Sequence, residues 1–179
     1  VNAPPVPTRF GLLVSDWQKP QKLLDYATGK QLVQLAGDVG AYSGFATVFG
    51  DVMYSVRRGG GNALRLPGGE VAWTLAETAR STSAPIVVNG KMIYATSGRI
   101  KAVDAATGKP IWETPHAHAG YQNSIPIVWD DQVLANGTDL HGLDFETGKR
   151  RWTVACGREA DRFLRSRRQS MAGSSTPVT

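Results

Sequence analysis

Ala102-Val103-Asp104-Ala105-Ala106-Thr107-Gly108-Lys109-Pro110-Ile111-Trp112 returns further along the chain as Gly142-Leu143-Asp144-Phe145-Glu146-Thr147-Gly148-Lys149-Arg150-Arg151-Trp152. Asp, Thr, Gly, Lys and Trp all recur at one offset, 40 residues from Asp104 to Asp144, so the chain is built of repeats. Weaker copies lie on the N-terminal side. Asp25-Tyr26-Ala27-Thr28-Gly29-Lys30 sits 79 residues before the Asp104 copy, two repeat lengths away. Between them stands a degraded copy, Ala63-Leu64-Arg65-Leu66-Pro67-Gly68-Gly69-Glu70-Val71-Ala72-Trp73, whose Trp73 precedes Trp112 by 39 residues. Ser83-Ala84-Pro85, Ser124-Ile125-Pro126 and Ser175-Thr176-Pro177 form a second recurring landmark, each followed by a β-rich run.

Between landmarks the chain alternates short apolar runs with turn residues. Ile86–Val88, Met92–Thr96, Ile100–Val103 and Pro110–Thr114 are separated by Asn89-Gly90, Ser97-Gly98 and Thr107-Gly108, the chemistry of tight hairpin turns. The next repeat follows the same plan: Ile125–Trp129, Val133–Ala135, Leu140–Leu143 and Arg151–Val154, with Asp130-Asp131, Asn136-Gly137 and Thr147-Gly148 between them. Four antiparallel strands about every 40 residues describe a propeller blade, whereas helical repeats of that length need a 3.6-residue apolar period that this sequence lacks. The expected fold is therefore an all-β propeller of four-stranded blades, with repeats at approximately 5–40, 41–80, 81–120 and 121–155, an insertion at 156–170, and the first strand of a further blade at 171–179.

The Thr-Gly-Lys turn and the Trp after it have a physical reading of their own. Glycine permits a positive φ in the turn leading to the outermost strand, and the Asp or Thr before it can accept hydrogen bonds from turn amides. A Trp on that strand can cover the neighbouring blade and send its indole N–H to a backbone carbonyl. Trp73, Trp112 and Trp152 thus read as packing between blades rather than as catalytic groups.

The pattern Ala102, Asp104, Gly108, Trp112 resembles the tryptophan-docking motif of the pyrroloquinoline-quinone (PQQ)-like β-propeller repeat family, Ala-x-Asp-x-x-x-Gly-x-x-x-Trp. The stretch from Gly142 through Asp144 and Gly148 to Trp152 is similar, with Gly142 in the Ala position. The first copy departs from it with Val33 in the Trp position, and the second with Arg65 in the Asp position. The resemblance covers almost the whole chain except the stretch around 156–170, and it implies a propeller that closes with eight blades. Four and a part of a fifth are readable here, so further blades are expected to be supplied elsewhere.

That family has two branches. In quinoprotein alcohol and glucose dehydrogenases, PQQ and Ca²⁺ sit on the propeller axis and an Asp acts as base; in others, such as the lipoprotein of the bacterial outer-membrane assembly machine, the propeller is a scaffold without cofactor. Fold alone does not choose between them. The ring of two adjacent cysteines found beside the cofactor in many quinoprotein dehydrogenases cannot form, because Cys156 is the only cysteine. The dehydrogenase branch would also need an axial Trp under PQQ and Glu, Asn and Asp around Ca²⁺. Trp129 is the spare strand Trp, and no residue is assigned these roles. There is no Cys-x-x-Cys-His haem site, no His-Glu-x-x-His zinc site and no Gly-rich phosphate loop. His116-Ala117-His118 would place two imidazoles on one face of a strand, but no carboxylate or Cys nearby completes a metal site, so it reads as a solvated loop at one end of the propeller. His141, inside a strand, reads as a packed imidazole.

The composition, 41% apolar with 20 Gly and 10 Pro, suits a globular β protein, and no 18-residue apolar run is present to span a membrane. One segment escapes the repeat. Pro85 to Pro126 is 41 residues and Pro126 to Pro177 is 51, so about ten have been added, in Cys156-Gly157-Arg158-Glu159-Ala160-Asp161-Arg162-Phe163-Leu164-Arg165-Ser166-Arg167-Arg168. Arg158, Arg162, Arg165, Arg167 and Arg168 contribute much of the net charge of +5, and insertions into a repeat decorate one face. They read either as a solvated basic loop or as candidates for contact with an acidic protein partner or with membrane headgroups. Nucleic acid is disfavoured, since Phe163 is the sole aromatic beside them and offers no base-stacking platform.

The function expected from these readings is a non-catalytic, extracytoplasmic scaffold, periplasmic or membrane-associated, that binds proteins without a cofactor. The alternatives are a piece of a PQQ- and Ca²⁺-dependent dehydrogenase and a purely structural subunit of a larger complex.

Overall fold

The computed structural model describes residues 5–14, 21–35, 46–57, 59–79, 83–116 and 125–155. They form sixteen strands: β1 (Val6–Thr8), β2 (Gly11–Val14), β3 (Lys22–Leu24), β4 (Gln31–Gln34), β5 (Ala46–Phe49), β6 (Val52–Arg57), β7 (Gly60–Arg65), β8 (Glu70–Leu75), β9 (Ile86–Val88), β10 (Lys91–Ala95), β11 (Arg99–Asp104), β12 (Pro110–Pro115), β13 (Ile127–Trp129), β14 (Gln132–Asn136), β15 (Asp139–Asp144) and β16 (Arg150–Ala155). Each consecutive four make one antiparallel sheet in chain order, giving blades one to four of an all-β propeller. The first strands β1, β5 and β9 approach one another in succession, which places them on the inner side of the array.

Turn chemistry sets the strand ends. Asn89 and Gly90 both have positive φ, 47° and 75°, the two-residue turn whose twist matches that of the paired strands β9 and β10. Every blade has the same irregularity between its third and fourth strands, at Leu23/Leu24, Ala63/Leu64, Ala102/Val103 and Gly142/Leu143. The inner strand of blade four begins at Ile127, two residues later than the expected Ile125, because Pro126 has no N–H to give to a ladder.

The core is layered between the sheets. Leu13, Leu23, Met53 and Leu64 join blades one and two; Tyr54, Ala63, Trp73, Met92, Tyr94 and Val103 join two and three; Ile93, Ile100, Ala102, Trp112, Val133 and Leu143 join three and four. Period-two alternation explains how one strand serves two layers. On β6, Met53 points to blade one while its neighbour Tyr54 points to blade three.

Candidate functional site: the junctions between blades

The repeated Asp-x-x-Thr-Gly-Lys turn is rebuilt with nearly the same bonds in three blades. Asp104 Oδ1 accepts the Thr107 N–H at 2.8 Å and the Thr107 hydroxyl at 2.7 Å, while the Gly108 N–H donates to the Asp104 carbonyl at 2.8 Å. Asp144 with Thr147 and Gly148, and Asp25 with Thr28 and Gly29, do the same. Bonds from Thr107 hold the Asp104 carboxyl below its ordinary pKa. Asp144 is driven further down, first by the Arg151 guanidinium, which bridges it to Asp131, and then by Thr147. These short acceptor-to-amide bonds substitute for ladder bonds that a turn cannot make.

The Asp104 and Asp144 turns each receive a Trp from the preceding blade. The Trp73 indole N–H donates to the Ala105 carbonyl at 2.9 Å, and that of Trp112 to the Phe145 carbonyl at 3.1 Å. A Cβ at Gly108 would lie 2.7 Å from the Trp73 ring, and one at Gly148 would lie 2.5 Å from that of Trp112. The turn glycine is therefore required twice, for its positive φ of 72° or 70° and for the space the indole occupies. Gly29 has φ 66° and nothing within 4 Å of an added Cβ. Ala102 is buried opposite Trp112 on the sheet face that meets blade four.

Trp152 behaves differently from its two counterparts. It lies over its own blade, against Gly142, and its indole N–H donates to Gln132 Oε1 at 2.7 Å. Where Trp73 and Trp112 face an Ala across the ladder, Trp152 faces Gly142, whose missing Cβ leaves room for the ring. No fifth sheet is present among the described residues to receive it. Trp152 is consequently 36% exposed against 9% for Trp112.

The cross-sheet row Ile86–Ile93–Ala102–Trp112 of blade three is the one that blade four covers. Its equivalent in blade four is Ile127–Leu134–Gly142–Trp152, and beside it Trp129 is 73% exposed on the inner strand. Ile127 and Val154 are exposed as well, so the outward face of blade four is apolar and uncovered among the described residues.

Other contacts across the junctions carry no obvious mark in the repeat. Lys91 of blade three reaches blade four, with Nζ 2.7 Å from Glu146 Oε2 and 4.4 Å from the centre of the Phe145 ring. Glu77, buried just after β8, takes the Lys101 ammonium at 2.9 Å and the Tyr94 hydroxyl at 3.2 Å. Burial, and then the Glu77 charge, push the Tyr94 phenol well above its ordinary pKa. The signal available for this pair is positional, because Glu77 stands four residues after Trp73 as His116 stands four after Trp112.

His116 corrects an expectation. It is buried, not solvated, and its ring packs edge-on to His141 with centres 5.4 Å apart and planes at 82°. Two hydrogen bonds across the end of the blade pull it in, from its N–H to the Gly98 carbonyl at 2.9 Å and between Nε2 and the Asn136 carbonyl at 3.3 Å. His141 is packed inside the junction, its Nδ1 3.0 Å from the Thr153 hydroxyl. His118, Cys156 and the arginines 158, 162, 165, 167 and 168 lie outside the described residues. Among the described residues no group of three or more His, Cys, Asp or Glu side chains is placed to hold a metal ion, and no helix is long and apolar enough to cross a membrane.

Comparison with known proteins gives this architecture its relatives. A Xanthomonas campestris protein named outer membrane protein assembly factor BamB is 28% identical over 133 residues, 72% of this chain and 29% of its own length. The crystal structure of BamB from Moraxella catarrhalis superposes with a TM-score of 0.74 at 22% identity, covering 87% of this chain and 49% of that one. The quinohemoprotein alcohol dehydrogenase of Comamonas testosteroni shares the fold at a TM-score of 0.70 and 17% identity, over 87% of this chain and 35% of the enzyme. The chain thus spans half or less of the length of each. With the family model PQQ_2, described as outer membrane protein assembly factor BamB, matching residues 22–174, the chain belongs to that family of propellers.

Proposed function

We propose that this chain is the blade-forming part of a non-catalytic scaffold that holds protein partners during outer membrane protein assembly, in the extracytoplasmic space. The observation that carries this reading is the match to the BamB family model over residues 22–174, supported by the relative at 28% identity. The likeness to quinohemoprotein dehydrogenases, at 17% identity, speaks for fold and not for chemistry. The reading includes no cofactor, with PQQ and Ca²⁺ as the alternative.

Two surfaces serve the scaffold in this reading. Ile127, Leu134 and Trp152 on the uncovered face of blade four receive a further blade, which buries their apolar area. The residues Arg158, Arg162, Arg165, Arg167 and Arg168 give a protein partner a set of bidentate donors.

Removal of the gene from its host tests the function. The amount of folded β-barrel protein in the outer membrane should fall and return on complementation. Unchanged outer-membrane protein, with loss of an alcohol- or glucose-dependent dye reduction that PQQ restores, would favour the dehydrogenase alternative.

A further inference from the structure

The junctions on the two sides of blade three use equivalent positions for different chemistry. Four residues after the docking Trp stands Glu77 at one and His116 at the next; their partners Lys101 and His141 are 40 residues apart. The first junction is closed by an ion pair of 2.9 Å, the second by two buried imidazoles with ring centres 5.4 Å apart. We propose that the His116–His141 pair makes the junction between blades three and four an acid-sensitive joint, closed while His141 is neutral and loosened when it takes up a proton.

The surroundings favour the neutral state. From blade three the joint is faced by Ala95 and Ile100, which carry no charge, and by the Thr114 hydroxyl, which is engaged at 2.6 Å with the Gly148 carbonyl. From blade four come Arg150, whose guanidinium donates to the Pro115 carbonyl at 2.7 Å, and Asp139. Burial first and then Arg150 lower the pKa of His141, and Asp139 opposes them more weakly. The remaining charges of blade three near this level, Arg99, Lys101 and Glu113, pair with one another or with Glu77 on the face turned to blade two.

The sign follows from proton uptake. A histidine whose folded pKa is depressed binds more protons when released than when packed, so closure is fully favoured above the ordinary value near 6.5 and is lost as pH falls below it. Each proton taken up on opening shifts the opening equilibrium by up to about tenfold per pH unit. The Glu77–Lys101 junction is closed without an imidazole, the side chain whose ordinary titration falls between pH 5 and 8. The two neighbouring joints therefore respond differently to one change of pH.

Amide hydrogen exchange of the full-length protein at pH 7.5 and 5.0, corrected for intrinsic rates, reads this directly. Amides of β14 (Gln132–Asn136) should lose protection about tenfold or more at the lower pH, while those of β7 (Gly60–Arg65) hold theirs. The double variant His116→Gln with His141→Gln should abolish the difference. Equal loss in β14 and β7, or persistence in the double variant, would overturn the proposal. NMR titration of the imidazole signals, simplified by His118→Gln, tests it without disturbing the pair. His141 should titrate below 6.5, and titration at or above the ordinary value would overturn it as well.

Discussion

The indole of Trp112 occupies the space that a Cβ on Gly148 would need, and these two residues stand in successive blades. The same relation holds one repeat earlier between Trp73 and Gly108. The Trp is therefore a wedge between blades whose seat is a glycine turn. Equilibrium denaturation should show Trp112→Ala costing roughly 3–5 kcal/mol, in the range for truncating a buried aromatic. Trp152→Ala should cost less even where a further blade covers it, since its indole N–H is bonded to Gln132 within its own blade rather than across a junction. Equal losses would remove the distinction between the two.

Gly29 and Gly148 separate backbone from packing. Both have positive φ, so Ala at either position should cost about 1–2 kcal/mol for a left-handed conformation. Only Gly148 lies under an indole, and Gly148→Ala should lose roughly 1–3 kcal/mol more through overpacking. Matched denaturation curves of the two single variants test this, and the indole contact is unimportant if the costs are alike.

The Asp turns predict an acid response of a different origin from that of the histidines. With the Asp144 carboxyl held low by Arg151 and Thr147, its contribution to stability is complete above the ordinary carboxylate pKa near 3.8 and disappears as pH falls below it. Asp144→Asn should flatten the decline in thermal stability between about pH 5 and 2. An unchanged decline would mean that the turn contributes nothing through its charge.

Much of the fold was legible because the turn uses residue types that few alternatives can replace. Asp104, Thr107, Gly108 and Trp112 each do something that depends on side-chain identity, so the pattern recurs in readable form at Asp144, Thr147, Gly148 and Trp152. The Glu77–Lys101 and His116–His141 joints were not legible, because the position recurs while the chemistry changes. Nor was the direction of Trp152, which depends on the cross-strand Gly142 and on what covers the sheet. His116 was expected in water because its short motif suggested a loop, whereas bonds to Gly98 and Asn136 draw it into the junction.

The arginines of the insertion are expected to act together. Single exposed ion pairs contribute little, so a contact made by Arg158, Arg162, Arg165, Arg167 and Arg168 should weaken with salt and survive loss of any one. Replacing all five by Ser should leave the melting temperature nearly unchanged while reducing retention of partners. Unfolding of that variant, or unchanged retention, would assign the segment another role.

The scaffold function is tested most directly by quantitative affinity purification of the full-length protein from solubilised cell envelopes. Components of the outer membrane protein assembly machinery should be enriched with it, and their recovery should decrease in the five-arginine variant and at high salt. Recovery of none of these components, together with stoichiometric PQQ in the purified protein and alcohol-dependent dye reduction, would contradict the scaffold and make the propeller an enzyme.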